Sequence, residues 1–144
     1  MTQPTGLHVA QREWRRVLDV ACGTGLSTVQ YLRALPHETV VVGVDVSQSQ
    51  LHHAANLADA FPNASFMVHN VDDGLPFSDS SVDLINVSSA IHWLNAERFI
   101  PETHRVLRPG GVLAITCVRS VAHPQQGSDT VTQVFITKLL MGRN

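Results

Sequence analysis

The run Val17-Leu18-Asp19-Val20-Ala21-Cys22-Gly23-Thr24-Gly25 constrains this chain most, because an apolar strand pattern carrying one acidic residue breaks into a glycine loop. Glycines between a strand and a helix bring backbone N–H groups, and no bulky side chain, up to whatever small molecule docks there. A second apolar run, Val40-Val41-Val42-Gly43-Val44, ends on Asp45, twenty residues after Gly25. A carboxylate at the tip of that second strand is placed to accept two hydrogen bonds from a ribose diol. Together the two features predict a binder of a nucleoside-containing cofactor.

The loop also discriminates between cofactors. A dinucleotide fingerprint G-x-G-x-x-G wants a third glycine where this chain has Thr28, and no phosphate-cradling G-x-x-x-x-G-K-[ST] loop is present. The loop holds no lysine or arginine, and the helix after it only Arg33. A diphosphate would be poorly served, which argues against a nicotinamide-dependent oxidoreductase.

Short apolar runs alternate with longer helical patterns along the chain, which predicts successive βαβ units and a parallel sheet. Strands are expected at about 16–20, 39–44, 65–69, 82–87 and 111–118. Helices are expected at about 26–35, at 48–60 from a Ser47 cap, and at 95–107 from near Asn95. Leu51, Ala54, Ala55 and Ala58 would form the apolar stripe of the second helix, and Pro109-Gly110-Gly111 a turn into the fifth strand. Val131, Val134, Phe135, Leu139 and Leu140 predict a last helix over Val131 to Met141.

Right-handed crossovers and a reversal after the third strand give an α/β, doubly wound sheet of about five parallel strands in the order 3-2-1-4-5. At 144 residues the chain reads as a single domain, with its core at 14–118 and a C-terminal helical segment at 119–144. Ten Lys and Arg against 12 Asp and Glu are scattered in no long run, which argues against a nucleic-acid groove. Met1-Thr2-Gln3-Pro4-Thr5-Gly6 lacks the features of a secretory signal, and no apolar stretch approaches the roughly 18 residues of a membrane span. Cys22 and Cys117 suggest no disulfide framework, so a cytoplasmic location is expected. His52-His53, His69, His104 and His123 show no ligand spacing, and no metal is expected.

Three segments carry a family resemblance. Leu18 to Gly25, then Gly74-Leu75-Pro76-Phe77-Ser78-Asp79-Ser80-Ser81-Val82-Asp83-Leu84-Ile85, then Arg105-Val106-Leu107-Arg108-Pro109-Gly110-Gly111-Val112-Leu113-Ala114-Ile115 resemble, in this order, motifs of the class I, Rossmann-like S-adenosylmethionine-dependent methyltransferases. The chain differs in having Ala21 where that family more often has glycine. Ala90-Ile91-His92-Trp93-Leu94, with Asp72-Asp73, is similar to a branch resembling the trans-aconitate methyltransferases, which esterify small carboxylic acids.

The resemblance implies S-adenosylmethionine as cofactor and a small-molecule methyl acceptor, with no nucleic acid or membrane as partner. The cofactor is expected across the carboxyl ends of strands 1, 2 and 4. Ala21, Gly23 and Gly25 would let the backbone approach it closely, the alternative being an ordinary tight turn. Asp19 would face the methionine ammonium or else cap the following helix. Asp45 would take both ribose hydroxyls or else pair with Ser47, and Val46 would form an apolar floor for the adenine. Asp72, with a backbone amide from Val71, would meet the adenine amino group, unless this stretch is only a solvated acidic turn. Ser88 lies at the carboxyl end of the fourth strand, and His92 beyond it would act as a base or position the acceptor, unless it only satisfies backbone groups beside a packed Trp93.

Members of that family usually continue into two further strands and begin with helices that close over the cofactor. A five-stranded parallel sheet lacking them would leave the fifth strand as an open edge, with Leu113, Ile115 and Val118 poorly covered. Self-association or a partner at that edge is then expected. The alternative function is a non-catalytic, truncated module that binds the cofactor or a partner.

Overall fold

The structure, a computed structural model, describes residues 13–122 and 128–135, with side chains over 13–117. One six-stranded sheet is formed by β1 (Arg16–Val20), β2 (Val40–Asp45), β3 (Ala64–Val68), β4 (Val82–Ser88), β5 (Leu107–Ala122) and β6 (Ser128–Phe135), in the order 3-2-1-4-5-6. The first five strands are parallel, in the order that the crossovers predicted. The helices are α1 (Leu26–Ala34), α2 (Gln48–Ala55), α3 (Leu57–Ala60) and α4 (Ala96–Val106).

A parallel sheet is covered on both faces, so its central strands are apolar without alternation. Accordingly Val17, Leu18 and Val20 of β1 are all buried. One face packs Leu18, Val20, Val44, Ile85 and Leu113 with Phe99 and Val106 of α4. The other packs Val17, Val41 and Leu84 with Leu32 of α1, flanked by Tyr31, Val112 and Ala114.

The family-like segments around Gly74 and Arg105 turn out to be a latch. The Arg105 guanidinium donates to both oxygens of Glu102 at 2.8 Å, to Asp79 at 2.9 Å and to the carbonyls of Leu75 and Phe77 at 2.8 Å, while the Leu75 amide donates to Glu102 at 2.7 Å. Asp83 forms a second tie, accepting from the Arg15 and Arg16 amides at 2.8 and 3.0 Å and from Arg108. The paired Arg105 and the Leu75 amide hold the Glu102 carboxyl well below its usual range, at about 2.

Four expectations need correction. The helix predicted from Val131 is, over its described part, the strand β6, antiparallel to β5 from Ile115 opposite Phe135 to Ala122 opposite Ser128; residues 136–141 lie outside the described ones. The i, i+3, i+4 spacing of Val131, Val134 and Phe135 mimicked a helix, but a β-branched, Thr-rich segment beside an open edge pairs with it. The sheet therefore has a sixth strand, β5 is not its edge, and Leu113 is buried. β5 itself starts at Leu107, before the expected Pro109–Gly111 turn, which lies inside it where the partner of β4 jumps from Leu107 to Val112. The helix expected over 48–60 breaks at Asn56, and Ala55 faces solvent.

Candidate cofactor site

All parallel strands point their carboxyl ends to one edge of the sheet, and in such sheets ligands bind there, where the strand order reverses. Between β1 and β2 the structure has a cavity of about 220 Å³ at that edge. Val20, Ala21 and Val44 form its base, Asp45 and Val46 one side, His69 to Asp72 a second, and Trp93 with Leu94 a third.

Asp45 is tied down before any ligand arrives. Its Oδ2 accepts the Gly23 amide at 2.9 Å and its Oδ1 the Ser47 amide at 2.8 Å. The carboxylate thus joins the glycine loop to the start of α2, whose N-cap is the Ser47 hydroxyl. Each oxygen keeps a lone pair for a further donor.

The two loop glycines have different reasons to be glycine. Gly23 has φ +56°, and a Cβ there would meet nothing nearer than Gln50 Oε1 at 3.8 Å. That is open space for a ligand. Gly25 has φ +88°, and a Cβ there would strike Leu57 Cδ1 at 2.6 Å. Its glycine requirement follows from the left-handed backbone together with the packing against α3, whatever the cofactor does. Ala21 is left-handed at φ +54°, as is Ser89 after β4. A non-glycine residue seldom adopts that conformation, which accounts physically for the glycine more usual in the resembling family.

Asp19 is fully buried and lies beneath the loop, not in the cavity wall. Its Oδ2 accepts the hydroxyls of Ser27 and Thr28 at 2.7 and 2.6 Å, and its Oδ1 accepts Asn86 Nδ2 at 2.8 Å. Both hydroxyls sit on the first turn of α1, so Asp19 fastens that helix through side chains, not by capping amides. Burial pushes its carboxyl above the usual range, against the pull of the three hydrogen bonds. Thr28, which spoils the dinucleotide fingerprint, is one of those partners. Burial and the charges of Asp19 and Asp45 push the Cys22 thiol up to about 12, so it stays an inert, protonated side chain.

Val71 and Asp72 reach the cavity on a short 3₁₀ turn, Val71–Asp73. Asp72 Oδ1 accepts the Asn95 amide at the start of α4, at 2.9 Å. His69 closes this loop: its amide donates to the Asp45 carbonyl at 3.0 Å, and its Nε2 meets the Gly74 carbonyl at 2.6 Å. A carbonyl only accepts, so that nitrogen carries the proton.

Of the residues expected in the site, Ala21, Asp45, Val46, Val71 and Asp72 line one cavity, and Gly23 is bonded to Asp45. Ser88 lies instead in a second cleft on the α1 side. His92 is exposed, its ring centroid 4.9 Å from that of Trp93, and does not line the cavity. Trp93 is not the packed neighbour expected for His92: it is 78% exposed at the cavity mouth. Sequence reasoning missed His69, Trp93 and Leu94 as wall residues. An aromatic residue just past the fourth strand, at the ligand-binding edge, was the available signal for Trp93.

Residues 17–111 match the family model described as a methyltransferase domain. The chain is 35% identical over 127 residues to the O-methyltransferase resE of Aspergillus sclerotiorum, covering 85% of this chain and 47% of that protein. It is 36% identical over 104 residues to the trans-aconitate 2-methyltransferase of Variovorax paradoxus, covering 72% and 38%. In fold it resembles the crystal structure of a SAM dependent methyltransferase from Aquifex aeolicus, with a TM-score of 0.70, 23% identity, and 81% and 63% of the two chains covered. The chain belongs to the methyltransferase domain family, and it spans about half or less of the length of the two sequence relatives.

Proposed function

We propose that this chain binds S-adenosylmethionine and passes its methyl group to an oxygen of a small molecule. The observation that carries the reading is the pairing of Gly23, whose missing side chain leaves open space, with a carboxylate already oriented beside it. At about 220 Å³ the cavity is smaller than the about 300 Å³ at which drug-sized ligand pockets begin. It suits the nucleoside end of the cofactor: Asp45 takes the ribose hydroxyls, the Val46, Val71 and Leu94 side chains flank the base, and Asp72 lies near its amino group.

When bound, the sulfonium supplies an electrophilic methyl group. The protein's part is to hold both partners in line and to exclude water, which requires no reactive side chain. The exposed His92 need not then act as a base.

A carboxylic acid is one acceptor class, supported by the Ala90 to Leu94 segment and the likeness to a trans-aconitate 2-methyltransferase. Its oxygen needs no base at neutral pH, since its pKa lies near 4. A hydroxyl is the other, in keeping with the likeness to an O-methyltransferase. The non-catalytic alternative rested on missing lid helices and on an open edge at β5; β6 occupies that edge, which removes one of its two supports. A cytoplasmic setting accords with two free cysteines.

Isothermal titration of the folded chain with S-adenosylhomocysteine tests the reading. Micromolar binding, lost in Asp45→Ala, is expected; a folded chain that does not bind overturns it.

A further inference from the structure

The second cleft, about 400 Å³, lies on the α1 side of the sheet's carboxyl edge. Ser27, Gln30 and Tyr31 of the first helix face Asn86, Ser88 and Thr116 of β4 and β5 across it. Among the described residues no charged side chain lines it.

Its wall is polarised by the carboxylate buried behind it. Asp19 can only accept, so the Asn86 amide must turn its nitrogen toward Asp19, at 2.8 Å, and its oxygen away. That fixes the rest of the chain of bonds. The Asn86 oxygen takes the Tyr31 hydroxyl hydrogen at 3.0 Å, and the second Asn86 N–H goes to Ser88 Oγ at 3.0 Å. The Ser27 hydroxyl hydrogen is committed to Asp19. Tyr31 and Ser27 therefore have their hydrogens drawn inward and present lone pairs, whereas Ser88, already accepting, keeps a hydrogen to donate. Burial and the Asp19 charge push the Tyr31 hydroxyl above its ordinary range, so it keeps its proton.

A hydroxyl both donates and accepts, which matches a wall carrying acceptors and a donor anchored on one amide. A carboxylate can only accept. It could use the Ser88, Thr116 and Gln30 donors, but it would face the Tyr31 and Ser27 lone pairs with a buried negative charge behind them and, among the described residues, no cation. We propose that this cleft seats the methyl acceptor and selects a neutral, hydroxyl-bearing molecule over a carboxylate. The assignment rests on the methyl-transfer reading above, and it excludes from this cleft the acid acceptors implied by the Ala90 to Leu94 resemblance.

The test uses the full chain saturated with S-adenosylhomocysteine and three probes sharing one ring system: 2-naphthol, 2-naphthoate and 2-methoxynaphthalene. Calorimetry is expected to show 2-naphthol binding at least tenfold more tightly than either of the others. Ala34→Trp and Gln30→Trp, both at exposed positions of α1 that line the cleft, should remove 2-naphthol binding and leave S-adenosylhomocysteine affinity unchanged. Equal or tighter binding of 2-naphthoate overturns the proposal, as does 2-naphthol binding that survives both variants. Failure to bind S-adenosylhomocysteine, with the naphthol preference intact, would instead overturn the methyl-transfer reading and leave the polarity of the cleft standing.

Discussion

The Gly23 amide donates to Asp45 Oδ2 across 2.9 Å, joining the glycine loop after β1 to the tip of β2. The two most informative features of the sequence, twenty-two residues apart, are thus one unit in space. The bond orients the carboxylate without using up its accepting capacity.

Asp45→Ala should therefore lose on two counts. Two charge-assisted hydrogen bonds to the ribose would disappear, weakening S-adenosylhomocysteine binding by on the order of 2–4 kcal/mol. The Gly23 and Ser47 amides would also lose their acceptor, lowering stability by about 1–3 kcal/mol. Calorimetry and urea unfolding measure the two separately. Unchanged affinity in a folded variant would remove Asp45 from the site.

Acid should weaken the latch around Arg105. The folded-state pKa of Glu102 is depressed, from 4.5 to about 2. Its contribution to stability is thus fully present above the unfolded value and lost as pH falls from about 4.5 toward 2. Glu102→Gln should flatten the urea midpoint's dependence on pH in that window and lower the midpoint at pH 7. A variant with the same slope as the parent chain would show that Glu102 is not a source of the acid sensitivity.

How far the sequence could be read depended on whether local pattern or tertiary context decides. The five parallel strands were legible because βαβ units impose their own periodicity, and the glycine loop with Asp45 because their chemistry is local. β6 was not legible: the spacing of Val131, Val134 and Phe135 fits a helical period, and pairing with β5 overrode it. The role of Asp19 was half legible. Its place at the tip of β1 was readable, but its bond to Asn86, across a separation of 67 residues, follows only from the juxtaposition of β1 and β4. Arg105 and Asp83 looked like family marks, and only the packed chain shows them as latches.

Ala21 offers a test of loop strain. A left-handed alanine at φ +54° costs roughly 1–2 kcal/mol in conformation. Glycine removes that cost but frees the unfolded chain by about 0.5–1 kcal/mol. Ala21→Gly should therefore be neutral to stabilising by up to about 1.5 kcal/mol, and Ala21→Val destabilising, as read from urea midpoints. A destabilised glycine variant would mean that the alanine methyl makes packing contacts worth more than the strain.

Trp93 makes cofactor binding visible by fluorescence. Its indole is 78% exposed at the mouth of the cavity. The chain's other tryptophan, Trp14, precedes the amino end of β1 and packs near Leu32 and Val41. At about 3.3 Å per residue, Trp14 is roughly 20 Å from the Ala21 end of that strand. A nucleobase entering between Val46 and Trp93 should desolvate and quench Trp93 while leaving Trp14 unaffected. Adding S-adenosylhomocysteine should therefore lower and shift the emission of the parent chain, and Trp93→Phe should abolish that change with little loss of affinity. Trp93→Ala, which also removes the stacking face, should weaken binding by on the order of 1–3 kcal/mol. If emission does not change while calorimetry registers binding, the base does not lie against Trp93, and the nucleoside end must be placed elsewhere along the sheet edge.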